Sequence, residues 1–418
     1  MAGLRSLKRL DVGIVGAGFA GAAAALFLAE RGHRVTLYEE AAAPRPVGAG
    51  ILMQPLGLSV LADLGLLAGA LARGSRVETL LCTTPSGRRV LDLSYRDLYE
   101  DWYGLGMHRG ALFELLHGQL PARAVKLVTG ASVQRTRVTA GGIRPVLGNG
   151  EELGEHELLV VADGARSVLR RALPEARATP YPWGALWFVG TDPGGVFAGR
   201  LHQVADGTSQ LLGFLPCGLG PRRAGEAQLV SLFWSVPVAH FAREDFVLAR
   251  WKERVLSLEP RAEALLAQIN AAAQLLPASY FDVSLPRFHS DRLVLIGDAA
   301  HATSPQLGQG TNLALEDARV LAACVSGAAD LRSGLAEFSR ARQRHVRYYQ
   351  RASWALTPFF QSDFAWLSPL RDAVLGPVCR FAPSRRLMLG TLSGVARGFL
   401  GATVPLAPIR ARMSRNLA

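Results

Sequence analysis

The feature that most constrains this chain is a glycine-rich turn set between two short apolar runs near its start. Leu10 to Val15 reads as a buried strand, Gly16-Ala17-Gly18-Phe19-Ala20-Gly21 as a tight turn, Ala22 to Arg31 as an alanine-rich helix ended by Gly32, and Arg34 to Tyr38 as a second strand. In such a unit Gly16 permits the turn, Gly18 lets the backbone approach a pyrophosphate, and Gly21 lets the helix sit close to its strand. Phosphates then meet free N–H groups and the positive end of the helix dipole. Glu39 ends the second strand about twenty residues on, where an acid accepts hydrogen bonds from a ribose 2′-OH and disfavours a 2′-phosphate. The unit predicts the adenosine of FAD or NAD rather than NADP, with Phe19, Ala20 and Glu40 beside it. The alternative is that Glu39 and Glu40 form only a solvated strand end.

The same glycines settle a second question. Arg5, Lys8 and Arg9 precede the apolar run Val12 to Ala29 in the manner of a secretory signal, but Gly13, Gly16, Gly18 and Gly21 break it at nucleotide-binding spacing. No other stretch reads as long and apolar enough to span a membrane.

Two later stretches separate FAD from NAD. One is Val160-Val161-Ala162-Asp163-Gly164-Ala165-Arg166-Ser167-Val168-Leu169-Arg170, a buried strand entering an acidic turn. The other runs from Arg292 through Gly297-Asp298-Ala299-Ala300-His301 to Ser304-Pro305-Gln306-Leu307-Gly308-Gln309-Gly310-Thr311-Asn312 and on to Asp317. With the first turn, these closely resemble the flavoprotein aromatic hydroxylases of the para-hydroxybenzoate hydroxylase type, including the ubiquinone-biosynthesis branch, over most of residues 10 to 345.

The resemblance implies non-covalently held FAD. It gives Asp298 a hydrogen bond to the ribityl chain, with Gly297 allowing the close turn, and sets Pro305 beside the isoalloxazine ring. Gly308, Gln309 and Gly310 match the loop whose backbone faces the flavin pyrimidine, and Thr311 and Asn312 open the helix that follows. A helix N-terminus there suits the negative charge of reduced flavin. Asp163 and Gly164 match a turn assigned to FAD and NAD(P)H, Arg109 an arginine that opens a helix and reaches FAD, and Gln54 and Pro55 approach from the other side. Arg109 could instead be an ordinary surface arginine, and Asp163 a turn cap or a partner of Arg166. The family often places an arginine where this chain has Glu40, which leaves the adenine end open. No side chain is assigned as catalytic; Pro305, Gly308, Gln309 and Gly310 are candidates by proximity, and His301 reads as a structural neighbour of the loop.

The fold class expected is α/β: a Rossmann-type FAD-binding domain, an inserted, largely antiparallel substrate sheet, and a C-terminal helical region. The FAD part takes residues 1–75, 104–175 and 284–345, the substrate part 76–103 and 176–283, and the helical tail 346–418. At 418 residues one core is too few, and 49% apolar against 19% charged residues describes a well-packed chain. The sheet stretches around Trp187, Phe214 and Trp234 are rich in large apolar side chains. Half should face helices and half a roomy apolar cavity over the flavin. These three aromatics are the substrate candidates, although an aromatic on a strand is commonly core.

The net charge of +12 comes from scattered arginines, with lysine only at positions 8, 126 and 252, and fits bound polyanions better than nucleic acid. Four cysteines far apart, with no C-x-x-C pair, suggest neither a metal site nor a redox dithiol, and a reducing cytoplasm as home. The amphipathic, arginine-rich tail reads as a cavity cover, a dimer contact in a monomer-or-homodimer protein, or a peripheral membrane contact.

By resemblance, NADH or NADPH reduces FAD, O2 adds at C4a, and the hydroperoxide oxygenates an electron-rich aromatic or unsaturated small molecule of phenolic, quinolone or polyketide type. No second complete dinucleotide fingerprint exists, so NAD(P)H is expected to bind transiently. A halogenase would need a lysine by the flavin and a W-x-W-x-I-P segment, and neither is visible. An FAD-dependent reductase of isoprenoid or polyketide double bonds, or a non-enzymatic FAD-binding carrier, would use the same motifs.

Overall fold

The computed structural model describes residues 9–45, 48–221, 227–241 and 246–414. Arg5 and Lys8, used above, and Arg415 of the arginine-rich tail lie outside the described residues. Short runs of three to five residues form one parallel sheet of five strands, in the order Leu293–Leu295, Leu158–Val161, Asp11–Val15, Arg34–Tyr38 and Lys126–Val128. Leu158 to Val161 and Leu293 to Leu295 are wholly buried, as strands covered on both faces must be. The helix Phe19–Glu30 packs along one face and Gly310–Gly327 beside it, their alanines allowing close approach.

A second sheet of nine strands is antiparallel except where Gly199–Asp206 runs parallel to Ser75–Thr83. Its path runs Leu276–Ser284, Arg177–Thr191, Leu229–Pro237, Gln210–Gly218, Gly199–Asp206, Ser75–Thr83, Gly104–His108 and Gly50–Met53, with Arg89–Ser94 paired to Ser75–Thr83. It takes in Gly50–Met53 and Gly104–His108, from segments read above as part of the nucleotide-binding half, because their ladders join Ser75–Thr83. One face carries Leu186, Phe188, Leu212, Phe214, Leu232 and Trp234, sealed by Trp251 and Val255 of the helix Leu248–Leu258. The opposite face abuts the parallel-sheet core: Leu215 belongs to that core, and the Gly50 amide donates to Ser231 Oγ at 3.0 Å.

The tail is helical, as the sequence pattern predicts, with Leu367–Arg380, Ala382–Leu392 and Leu406–Ser414 following a long helix, Leu331–Leu356. Position 345 therefore falls inside a continuous helix, not at a break. Among the described residues no helix is long and apolar enough to cross a membrane.

Candidate cofactor and substrate site

Four parallel strands end at one edge, and each hands the chain to a motif singled out above. Asp11–Val15 leads to Gly16, Arg34–Tyr38 to Glu39, Leu158–Val161 to Asp163, and Leu293–Leu295 to Gly297-Asp298. The carboxyl edge of such a sheet is where open α/β folds bind ligands.

Close packing explains the glycines. Gly16 has φ +96°, and a Cβ on it would sit 2.5 Å from the Ala162 carbonyl; one on Gly21 would sit 1.9 Å from the Gly16 carbonyl. Gly297, at φ +59°, turns against Ala20, whose Cβ a substituent would meet at 2.8 Å. Gly18 differs: it is exposed, and nothing lies within 4 Å of where its Cβ would be. Gly308 also faces open space, and Asp298, Pro305, Gly310 and Arg109 are exposed beside otherwise buried neighbours. Together they outline a groove floored by backbone.

The electrostatics suit a polyanion with a flat ring. The helices Phe19–Glu30 and Gly310–Gly327 both begin at this edge without a side-chain cap, so their first-turn N–H groups and dipoles face the groove. Glu39 accepts the Ala17 and Ala41 amides at 2.9 and 3.0 Å, which fixes its carboxylate beside the glycine turn, with Glu40 exposed next to it. Arg109 opens the helix Arg109–His117, whose N-terminus is capped by His108 Nδ1 accepting from Gly110 N. Its guanidinium lies 5.4 Å above the Phe19 ring, and His117 at the far end donates Nε2–H to the Ala17 carbonyl at 2.7 Å.

Asp163 neither caps its turn fully nor pairs with Arg166, which instead bonds Ser279. Its Oδ1 is buried without a partner, and burial pushes the carboxyl up to about 6 against the Ser167 hydrogen bond that lowers it. Gln54 is similar: Oε1 accepts from Tyr95 at 2.5 Å while Nε2 is buried and unpartnered. Buried polar atoms left open in two of the motif segments fit a bound group with its own donors and acceptors.

The side chains of Gln309 and Asn312 turn away from the groove. Gln309 is buried and donates to the Leu392 carbonyl at 2.5 Å. Asn312 is wholly buried, accepting the Gln54 amide at 2.8 Å and donating to the Leu52 and Gly308 carbonyls. They hold the loop, so its backbone, with exposed Gly308 and Gly310 and half-buried Thr311, is what remains for a ligand.

His301 is structural. It meets Asp317 Oδ2 at 2.5 Å, both buried; Asp317 also takes the Gly297 amide at 2.8 Å and Arg342 Nε at 2.6 Å. Arg342 and His301 hold the Asp317 carboxyl below the usual carboxylate range despite its burial.

The substrate candidates divide. Phe214 and Trp234 sit in the helix-covered core, Phe214 stacked on Phe197 at 4.2 Å and Trp234 edge-on to Trp251 at 6.1 Å. Strand alternation puts them on the face away from the groove, which corrects the expectation for both. Trp187 is on the other face, half-buried, 5.1 Å from Phe233 and donating to the Tyr280 hydroxyl at 3.3 Å. Arg109 is near enough to Tyr280 to favour its ionised form, although burial keeps that phenol above its ordinary value.

Sequence reasoning missed Phe233 and Tyr280, and missed Arg170. Arg170 donates to the carbonyls of Ala299 at 2.7 Å and Ala165 at 2.9 Å, clamping the Asp163 turn to the Asp298 turn. It stood at the end of the second motif, where a buried arginine next to an acidic turn was the available signal.

The geometry defines a dinucleotide-cofactor oxidoreductase with an aromatic chamber beside the cofactor groove. The chain belongs to the FAD-binding domain family, which matches residues 9–353. It is 30% identical over 369 residues to 3-amino-4-hydroxybenzoate 2-monooxygenase of Streptomyces cremeus, covering 82% of this chain and 83% of that protein. It is 29% identical over 375 residues to kynurenine 3-monooxygenase of Salinispora arenicola, covering 81% and 77%. Klebsiella pneumoniae HpxO complexed with FAD and uric acid shares the fold, with a TM-score of 0.78 at 22% identity over 94% of this chain and 98% of that one. The protein is an FAD-dependent monooxygenase of the flavoprotein aromatic hydroxylase type, and the reading without oxygen insertion is not supported.

Proposed function

We propose that the groove takes FAD with its pyrophosphate over Gly18, its adenosine ribose at Glu39, its ribityl chain at Asp298 and its ring between Pro305 and the Gly308–Gly310 backbone. Phe19, Ala20, Glu40, Gln54, Arg109, Asp163, Thr311 and Asn312 complete the surround, Asn312 by holding the loop. Bound there, FAD supplies reduction by NADH or NADPH and the activation of O2. The protein's part is to bind, orient and exclude water. The two uncapped helix ends stabilise negative charge on the cofactor, and the half-buried Trp187, Phe233 and Tyr280 hold a flat substrate ring at the open face.

The observation that carries this reading is the nearness of two surfaces: a groove floored by cap-free helix ends and unobstructed glycines, and a sheet face carrying Trp187, Phe233 and Tyr280, with Arg109 over Phe19 at the first and close enough to Tyr280 to act on its charge. It supports an electron-rich, largely apolar aromatic of phenolic, arylamine, quinolone or polyketide type, hydroxylated or epoxidised. The first two types are in line with the aminohydroxybenzoate named for the Streptomyces relative. We assign the FAD part to 1–75, 104–175 and 284–345, the substrate part to 76–103 and 176–283, and the helical cover to 346–418, with Gly50–Met53 and Gly104–His108 lending their strands to the second sheet and the helix Leu331–Leu356 crossing the last boundary. The reading includes a cytoplasmic monomer or homodimer with a peripheral membrane contact through the tail.

The test is to purify the protein, record its visible spectrum, and follow NADH and NADPH oxidation with electron-rich aromatics under isotopically labelled O2. Substrate-stimulated oxidation with label in the product is expected. A protein that cannot be loaded with FAD, or that oxidises NAD(P)H to NAD(P)+ while reducing O2 only to hydrogen peroxide across all aromatics tried, would sink it.

A further inference from the structure

The helix Leu367–Arg380 is held to the body by its inner face alone. Arg371, buried, donates to the carbonyls of Gly207 at 2.6 Å and Phe359 at 3.0 Å, and Cys379 and Leu367 are also buried. Its outer face is apolar and exposed. Trp366 is 69% exposed, Leu370 46%, Val374 44% and Phe381 66%. Their spacing brings them onto one stripe about 22 Å long, since a helix rises about 1.5 Å per residue and repeats every 3.6. Pro377 lies on the same stripe, exposed.

Exposed apolar surface of this extent marks an interaction site, and the surrounding charge selects the partner. From position 351 to the end the sequence has nine arginines against Asp363 and Asp372, with no lysine or glutamate. Arg351, Arg380 and Arg386 are exposed and show no ion pair among the described residues. The tail offers only Asp363 and Asp372 to balance those arginines, so a second copy of the same basic tail would not neutralise them. A surface of anionic phospholipid matches both features: arginines meet the headgroups, and Trp366 and Phe381 enter the interface where aromatic side chains are favoured.

We infer that this stripe, from Trp366 to Phe381, is a docking face for anionic membrane, with the helix lying in the interfacial plane. The face is also mechanically close to the chamber. The segment leading into the helix bonds the flavin loop through Ser304 Oγ to Thr357 Oγ1 at 2.8 Å and Gln306 Nε2 to Gln361 Oε1 at 2.6 Å, and Tyr181 OH donates to the Gln361 carbonyl. A docked enzyme thus holds its groove near the bilayer surface, where an apolar aromatic partitions. This deepens the monooxygenase reading, and its test does not depend on turnover.

The experiment is sedimentation of the FAD-loaded enzyme with vesicles of phosphatidylcholine alone or with one-third phosphatidylglycerol, at low and 0.5 M salt, alongside light scattering. Binding to the anionic vesicles, a blue shift of tryptophan emission, and at least a tenfold loss of bound fraction in Leu370→Asp/Val374→Asp and in Arg380→Glu/Arg386→Glu are expected. Unchanged flavin absorbance and NAD(P)H oxidation in those variants would show that they are folded. No binding to anionic vesicles, binding that the variants leave intact, or self-association abolished by Leu370→Asp/Val374→Asp without vesicle binding would overturn the inference. Failure of the oxygenase reading would show separately, in product analysis.

Discussion

The two sides of the groove are built from different material. On the cofactor side the surface is backbone: glycine turns, helix ends and carbonyls locked by Arg170, Gln309 and Asn312. On the proposed chamber side it is side chains standing on a sheet, Trp187, Phe233 and Tyr280. At Gly16 and Gly21 that surface permits no local adjustment, since a single methyl collides with a carbonyl. An aromatic wall can be re-shaped one residue at a time without disturbing the ladder beneath it. One scaffold can therefore keep its cofactor while changing its substrate.

The sharpest way to break that contrast is Gly21→Ala. Its Cβ would fall 1.9 Å from the Gly16 carbonyl, so at least a tenfold loss of bound flavin is expected, read as flavin absorbance per protein. Gly18→Ala, in open space, should leave the fold intact and weaken only FAD affinity; equal damage from both would remove the distinction. Next in size, Phe214→Ala should cost about 3–5 kcal/mol in denaturant unfolding because it empties a core position. Substrate KM should stay within about twofold in that variant, about 0.4 kcal/mol from no change.

A smaller effect, opposite in sign, is expected on the cofactor side. The folded-state pKa of Asp163 is raised to about 6 from 3.8, so above pH 6 the carboxylate is ionised in both folded and unfolded states and the fold bears its desolvation. Below 3.8 that cost is gone. Asp163→Asn should stabilise the FAD-free enzyme at pH 8 by an amount on the order of 2 kcal/mol, the gain shrinking as pH falls from 6 to 4 in thermal melts. Trp187→Ala should raise substrate KM about tenfold, roughly 1.4 kcal/mol, with flavin content unchanged. If instead it lost flavin while Phe214→Ala lost substrate binding, the two sheet faces would have been assigned the wrong way round.

The smallest effect separates the cover from both walls. His345 accepts from Arg342 and donates to the Gly394 carbonyl at 2.9 Å, and burial holds its pKa well below 6.5. The unfolded chain takes up a proton below 6.5 while the folded one stays neutral, so this group's contribution falls as pH drops beneath 6.5. His345→Gln should flatten that limb of the melting-temperature profile.

What the sequence disclosed follows the same division. Backbone features leave compositional marks: Gly16, Gly21 and Gly297 had to be glycine, and their spacing located the groove. Side-chain features leave weaker ones. Alternation around Trp187, Phe214 and Trp234 indicates two faces, but which face meets helices is decided by Trp251 and Val255, far along the chain. Tyr280 enters the chamber only because its strand pairs with Arg177–Thr191 across an irregular register. The bonds that tie Gln309 to Leu392 and His345 to Gly394 are contacts between distant segments for which no local pattern exists.

The order of strands in the parallel sheet has a consequence for how the protein is made. Asp11–Val15 finds one neighbour early, in Arg34–Tyr38, but gains the other only when Leu158–Val161 has been synthesised, and that strand waits in turn for Leu293–Leu295. At about 5–20 residues per second, the glycine turn spends roughly 15–60 s on the ribosome before the edge that faces it is complete. The edge that faces the glycine turn is thus assembled late, and slower translation lengthens the interval in which the first strand lacks its second partner.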